Sequence, residues 1–293
     1  MNQVRVIAPG LESSIQDLGR FGWAHFGVSA AGAADALALR AGNLLVGNAE
    51  NAAGLEMTLM GVELEFESAA VIALTGSDFG SGLPLWTPIE VPAGDRVRCA
   101  ATRGGARCYL SVRGGIEAPK IMGSASAHLT TGVGGGRLRK GDVLAIGDAA
   151  IRRPRKAARG FPYWNPATTL RVTPGPQAEW FGEEIYRSAY TVSEESSRMG
   201  LRLRGQTLTG AGGHMISEGV SLGAVQAPPD GQPIILFVDH QTTGGYPKPA
   251  NVISADFWRL GQMRPRDEIR FECVTIDQAL RFLQEQEEWL YSL

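Results

Sequence analysis

Short runs rich in Val, Ile, Leu and Phe recur along the chain, separated by breaks that contain glycine, proline or aspartate. Apolar runs of this length bounded by turn residues predict strands. They fall at residues 4–8, 62–66, 70–75, 108–112, 170–173, 234–238 and 269–274. A turn-then-strand unit occurs three times, as PAGDRVRCA from Pro92, RKGDVLAIG from Arg139 and RPRDEIRFE from Arg264. Each puts an aspartate in a tight turn ahead of alternating side chains. In the first two a glycine precedes the aspartate, where positive φ carries no steric cost, and Arg266 holds that place in the third.

Helical signals are few. Residues 33–45 are dense in Ala and Leu with Asp35 suited to a first turn, and residues 254–263 open with a capping Ser254 followed by Asp256. A longer helix is predicted over 276–290, with Ile276, Leu280, Leu283 and Trp289 near helical spacing and expected to pack on a barrel. Many short strands with repeated turns indicate sheets that are closed or nearly so. The fold expectation is therefore mainly β. It comprises residues 1–151 as an N-terminal β-rich half, 152–165 as a linker and 166–293 as a C-terminal β-rich half.

A chain of 293 residues has room for two ordinary domains, and 44% hydrophobic with 20% charged residues is normal globular usage. No run approaches the roughly 20 apolar residues that span a bilayer, and the opening MNQVRVIAPG lacks a signal-peptide core, so the expected compartment is the cytoplasm, with no membrane partner. Cys99, Cys108 and Cys273 have no metal-ligand or disulfide spacing and read as small buried hydrophobes. A net charge of −2 supplies no field for nucleic acid, and the one basic cluster, RRPRKAAR at 152–159, reads as a solvated linker.

The common catalytic signatures are missing: there is no P-loop, no G-x-S-x-G, no H-E-x-x-H and no complete G-x-G-x-x-G. His25, His128, His214 and His240 are scattered without ligand spacing, so no bound metal is expected. The glycines of GVGGG at 132–136 suit either an anion nest or a loop before a strand.

Three polar, glycine-punctuated segments remain. In QAPPDGQPIILFVDHQTTGGYPK, residues 226–248, an apolar strand ends in Asp239, Gln241, Thr242 and Thr243, then Gly244-Gly245 and Tyr246-Pro247-Lys248. Carboxylate, amide, hydroxyl and ammonium groups thus arrive at one strand end. Such a set suits a polar substrate containing an amide, with Lys248 neutralising developing negative charge; equally, Gly-Gly-Tyr-Pro makes a tight turn capped by Asp239. In SSRMGLRLRG, residues 196–205, Arg198 is either a fork for a carboxylate or phosphate or a surface arginine. In QDLGRFGWAHFGVSAAGAAD, residues 16–35, Arg20 lies between glycines ahead of the first helix, as an anion contact or as part of a plain loop.

These segments carry a family resemblance. QDLGR-x-G, GA-x-D, NLLVGN at 43–48, LE-x-T at 55–58, TG at 75–76, S-x-RMG-x-RL at 196–203, SEG-V at 217–220 and QTTGGYPK at 241–248 together resemble allophanate hydrolase subunit 2. The resemblance implies two cyclophilin-like β-barrel subdomains. It implies a partner B subunit of the Kip-inhibitor or allophanate-hydrolase-subunit-1 type, and a LamB/YcsF-like A subunit. Together these would open the lactam of 5-oxo-L-proline to glutamate with ATP and Mg at the level of the complex. It also implies pocket residues by matching motif: Lys248, Asp239 and Gln241 as catalytic candidates, and Arg198, Glu218, Gln226, Thr242 and Tyr246 with Arg20 as substrate-binding candidates.

The chain departs from the family pattern at Gly42 (usually Ala), Ser197 (usually Asn) and Arg266 (usually Gly). Relatives fused into urea amidolyase transfer carboxyl from carboxybiotin to urea. A biotin-dependent carboxyltransferase component is therefore the alternative reading, and a non-enzymatic Kip-type antagonist of a kinase inhibitor is the third.

Overall fold

The computed structural model describes residues 2–148, 168–210 and 215–293. The expected 152–165 linker with its basic cluster, and His214, lie outside the described residues. The chain divides into two compact units. One is Met1–Arg20, Ala31–Trp164 and Trp289–Leu293, and the other is Phe21–Ala30 and Asn165–Glu288.

In the first unit ten strands form two five-stranded sheets. One runs in the order Arg96–Arg98, Glu63–Phe66, Gln3–Ala8, Val143–Ile146, Ile116–Glu117, and the other Glu12–Gln16, Gly54–Thr58, Arg107–Val112, Ala70–Gly76, Pro88–Val91. Alternation explains how they pack. Val4 pairs with Phe66 and Val6 with Leu64, so these four side chains share a face and meet Leu55, Met57, Ile72, Leu74, Leu110 and Val112 of the other sheet in one core. The intervening Ala73 and Tyr109 point to the opposite face, where the helix Ala36–Val46 covers them with Ala38, Leu39, Leu45 and Val46. The strand Arg107–Val112 is consequently buried at every position, its polar members Arg107 and Ser111 included.

The polar motif residues of this unit hold the chain around that core. Asp35 caps the helix by accepting from Ala38 N at 2.9 Å, and Glu56 accepts from Ala34 N at 2.8 Å and from the Tyr109 hydroxyl at 2.6 Å. Asn43 donates to the Glu50 and Ala52 carbonyls, and Asn48 to the Val112 carbonyl. Gly42 lets the helix close on its sheet: a Cβ there would lie 2.7 Å from Ser111 Oγ and 2.9 Å from Thr75 Oγ1.

Asp17 is the centre of a second network. It accepts from Ser124 Oγ at 2.6 Å, Ser126 Oγ at 2.5 Å, Ala125 N at 2.7 Å and Gly19 N at 2.8 Å. Burial by itself pushes this carboxyl up, but the four hydrogen bonds outweigh it and hold Asp17 below the usual 3.8. A carboxyl lowered in the folded state stabilises fully above its unfolded value, and that contribution is lost as pH falls through the folded one. Asp17→Ala strands several buried donors and is expected to cost about 3 kcal/mol at neutral pH, read by chemical denaturation. The wild-type advantage over this variant should shrink below pH 3.8.

The second unit is a closed seven-stranded barrel, in the order Thr168–Pro174, Ala250–Val252, Ala224–Gln226, Ile234–Leu236, Gly200–Gly205, Ala189–Val192, Glu268–Cys273. The last strand returns parallel to the first, Leu170 beside Phe271, and closure leaves no open edge. Every strand expected from the sequence is present. The three turn-then-strand units share one conformation: Gly94, Gly141 and Arg266 all take positive φ, at 87°, 91° and 75°.

Two helical expectations differ in detail. Residues 254–263 begin as a 3-10 turn, Ser254–Asp256, before the helix Phe257–Gln262. The C-terminal helix spans Ile276–Tyr291, but Ile276 and Leu280 are exposed, and Ala279, Phe282 and Leu283 pack on Ile253, Ala255 and Val274 instead. Buried Gln286 and Leu290 continue that stripe.

Candidate functional site

The candidate residues of the second unit fall in two groups: Gln226 and Lys248 lie where the strand Ala224–Gln226 ends and Ala250–Val252 begins, and Arg198 and Asp239 lie past the far end of Ile234–Leu236. Gln226 ends the strand Ala224–Gln226 and pairs with Ile234, which starts the strand leading to Asp239. Arg198 precedes Gly200–Gly205, whose Gly200 pairs with Leu236. That pairing brings Arg198 to Asp239 in a two-pronged bond, Nε to Oδ2 at 3.0 Å and Nη2 to Oδ1 at 3.2 Å, while Asp239 N donates to the Arg198 carbonyl at 2.8 Å. Both side chains are buried. The arginine fork considered above for a substrate anion thus engages Asp239, and the pair fixes the start of the 239–248 segment.

From there the segment folds back as a two-stranded ribbon. Thr243–Gly244 pairs with Glu218–Gly219, and Thr242 O accepts from Val220 N at 3.1 Å. The ribbon sets Glu218 beside Lys248, whose ammonium donates to Glu218 Oε1. The two partners differ sharply in environment: the Lys248 side chain is 4% exposed and that of Glu218 45%. The hydrogen bond from Lys248, then that from Gln177, holds the Glu218 carboxyl below its usual 4.5.

Gln226 is 2% exposed, and among the described residues its Nε2 has no hydrogen-bond partner. A Cβ on Gly244 would lie 2.6 Å from that nitrogen, so the amide faces the bare backbone of the glycine pair. An unsatisfied buried donor costs about 1–3 kcal/mol, which marks it as a group kept for something other than stability. Gln241, exposed, reaches Gln226 Oε1 only at 3.5 Å. Burial lowers the His240 imidazole from its usual 6.5, and its Nδ1 lies 2.5 Å from the Gln241 carbonyl, which tethers this turn. Tyr246 is 44% exposed and walls a surface cavity of about 470 Å³ together with Arg202, Arg204 and the Pro228-Pro229 turn.

Arg20 belongs to the first unit, where it is 2% exposed and donates to the Ser126 carbonyl, with Gly134 packed against its guanidinium. Among the described residues no three His, Cys, Asp or Glu side chains assemble a metal centre, and no helix is long and apolar enough to cross a membrane.

The sequence reading missed Gln177. It lies in the turn Thr173-Pro174-Gly175-Pro176-Gln177, accepts from Lys248 N at 2.9 Å and donates from Nε2 to Glu218 Oε1 at 3.3 Å. The two prolines and the glycine announce a fixed turn, but nothing local says which segment it grips.

With this geometry in place, comparison with known proteins is decisive. The family model described as "Carboxyltransferase domain, subdomain A and B" matches residues 26–273. The chain belongs to this carboxyltransferase-domain family. Among family members, the C subunit of 5-oxoprolinase from Escherichia coli (strain K12) is 39% identical over 99% of this chain and 97% of the relative. Two solved structures are similar. The protein TTHA0988 has a TM-score of 0.83 and 34% identity over 93% of this chain and 55% of its own, and the K. lactis urea amidolyase has 0.91 and 30% over 98% of this chain and 20% of its own. The chain therefore spans nearly all of the E. coli relative, about half of TTHA0988 and a fifth of the urea amidolyase. The motifs that resemble allophanate hydrolase subunit 2 thus lie in a chain whose family match extends over residues 26–273.

Proposed function

We propose that this chain is the C subunit of an ATP-dependent 5-oxoprolinase, working in the cytoplasm with a B subunit of the Kip-inhibitor type and a LamB/YcsF-like A subunit. The observation that carries this reading is the end-to-end correspondence with the C subunit of the E. coli 5-oxoprolinase. A lactam carbonyl is a weak electrophile, and ATP, as co-substrate with Mg at the level of the complex, supplies phosphorylation of its oxygen before water attacks the carbon.

In this reading, water adds to the carbon, the ring C–N bond breaks, and negative charge builds on the oxygen of the departing phosphate, which Lys248 would neutralise with the Gln226 Nε2 amide as a further donor. Arg198 and Asp239 position the loop, Thr242 and Gln241 present polar groups along it, and the Tyr246 ring bounds the adjoining cavity. Gly244→Ala tests the donor. Its Cβ would displace the Gln226 amide, so turnover of the complex should fall about tenfold with a change in stability under about 1 kcal/mol, since the atom it meets is the far end of a flexible side chain.

The overall test mixes the chain with its A and B partners, omits each in turn, and follows ATP hydrolysis and glutamate release from 5-oxo-L-proline. Turnover that requires all three supports the reading. Folded, assembled partners without turnover would turn it toward biotin-dependent carboxyl transfer, which the TM-score of 0.91 to the K. lactis urea amidolyase favours as second reading. Carboxybiotin is then the ligand to test. A non-enzymatic Kip-type antagonist would keep its partner affinity after the 239–248 charges are neutralised, with no activity to lose.

A further inference from the structure

The backbone of the Lys248 segment is clamped by a turn from a different strand. Gly175 N donates to the Pro249 carbonyl at 2.9 Å and Gln177 N to the Lys248 carbonyl at 3.2 Å, while Lys248 N donates to Gln177 Oε1 at 2.9 Å. Gly175 has no alternative here, because a Cβ on it would overlap the Lys248 carbonyl oxygen. Reciprocal bonds between two residues fix Lys248 in register, and the strand pairing of Pro174 with Ala250 continues the grip.

One side chain does more than hold backbone. With its oxygen committed to Lys248 N, Gln177 turns its Nε2 to Glu218 Oε1, the same oxygen that takes the Lys248 ammonium. Glu218 needs such a tether. Its side chain is 45% exposed and sits on a two-residue strand of a two-stranded ribbon, so its own packing does little to hold it. The Lys248 side chain is nearly enclosed, and Glu218 is the only carboxylate in ion-pair range of it among the described residues. If Glu218 swings into solvent, the ammonium is left in a site that penalises charge.

We infer that Gln177 is a positioning residue that tethers the Glu218 carboxylate onto Lys248 and so keeps the site's buried cation paired and aimed. The depressed titration of Glu218, to which the Gln177 hydrogen bond contributes after that of Lys248, agrees with this. The inference rests on Lys248 as the working cation of the proposed site but needs no turnover to be tested.

The chain has four lysines, and exposed Lys120 and Lys140 in the first unit serve as internal references. Cyanate carbamylates only the uncharged amine, so its rate at Lys248, read by peptide mass spectrometry on the isolated folded chain, reports how firmly the ammonium is held. Gln177→Met keeps the length but loses both polar ends, and should speed Lys248 labelling at pH 8 about tenfold, with Lys120 and Lys140 unchanged.

Gln177→Glu keeps the acceptor for Lys248 N, replaces the donor by a second negative charge and should slow labelling. It also serves as the working variant should the methionine fail to fold. In a Glu218→Gln background Gln177→Met should add nothing, because its effect passes through Glu218. Labelling unchanged in both single variants, shifted in the same direction by both, or shifted equally in the Glu218→Gln background would overturn the assignment. Absence of 5-oxoproline-dependent turnover in the wild-type complex would instead remove the proposed reaction and leave the labelling result standing.

Discussion

Lys248→Ala is expected to lower kcat/KM of the assembled complex about a thousandfold while the chain still folds and binds its partners. The magnitude follows from what is removed. A preorganised charge or donor at a developing oxyanion is worth about a hundred- to a thousandfold in rate, and Lys248 is enclosed where its field is poorly screened. Stability should suffer less, because the residue left behind, Glu218, is half-exposed and is hydrated once its partner is gone. Lys248→Arg should recover little activity, since a planar guanidinium is wider than an ammonium and the Lys248 side chain is nearly enclosed. Steady-state ATP hydrolysis with all three subunits, beside a thermal melt of the variant, is the check. Wild-type turnover in Lys248→Ala would end the electrostatic role given to it.

The same residues show where sequence reading succeeds and where it stops. The strands were legible because alternation is local: Val4, Val6, Leu64 and Phe66 each carry their own signal, and pairing only confirms which face is inward. The strand-end cluster was legible for a similar reason, since Asp239 to Lys248 is one continuous run of polar groups and glycines. What local patterns do not carry is partnership. Arg198 and Asp239 are 41 residues apart, and Gln177 and Lys248 are 71 apart. An isolated arginine therefore reads as either an anion fork or a surface side chain, and the glutamine in a Pro-Gly-Pro turn carries no signal of its partner.

The C-terminal helix shows the limit from another side. Ile276, Leu280 and Leu283 lie at helical spacing, but so do Ala279, Phe282, Leu283, Gln286 and Leu290. The packing partners Ile253, Ala255 and Val274 select the second stripe, which contains the smaller and more polar residues. Arg266 is a third case. The turn repeat predicts its position but not that a side-chain residue would hold φ at 75°, a conformation its two counterparts meet with glycine.

The Arg198–Asp239 pair supplies the second large effect. Removing one member of a buried ion pair leaves an uncompensated charge, so Arg198→Met and Asp239→Leu should each destabilise the chain by about 3–5 kcal/mol. The double variant Arg198→Met/Asp239→Leu removes both charges together and should recover most of that loss, because desolvation of the pair offsets much of its attraction. Urea denaturation of the four proteins measures the coupling directly. Activity separates support from chemistry: the double variant keeps the Asp239 N to Arg198 carbonyl bond but loses the side-chain brace. If the pair only positions the 239–248 loop, the recovered fold should carry turnover reduced about tenfold rather than abolished. A double variant that is stable yet as inactive as Lys248→Ala would show instead that Asp239 or Arg198 acts on the substrate itself.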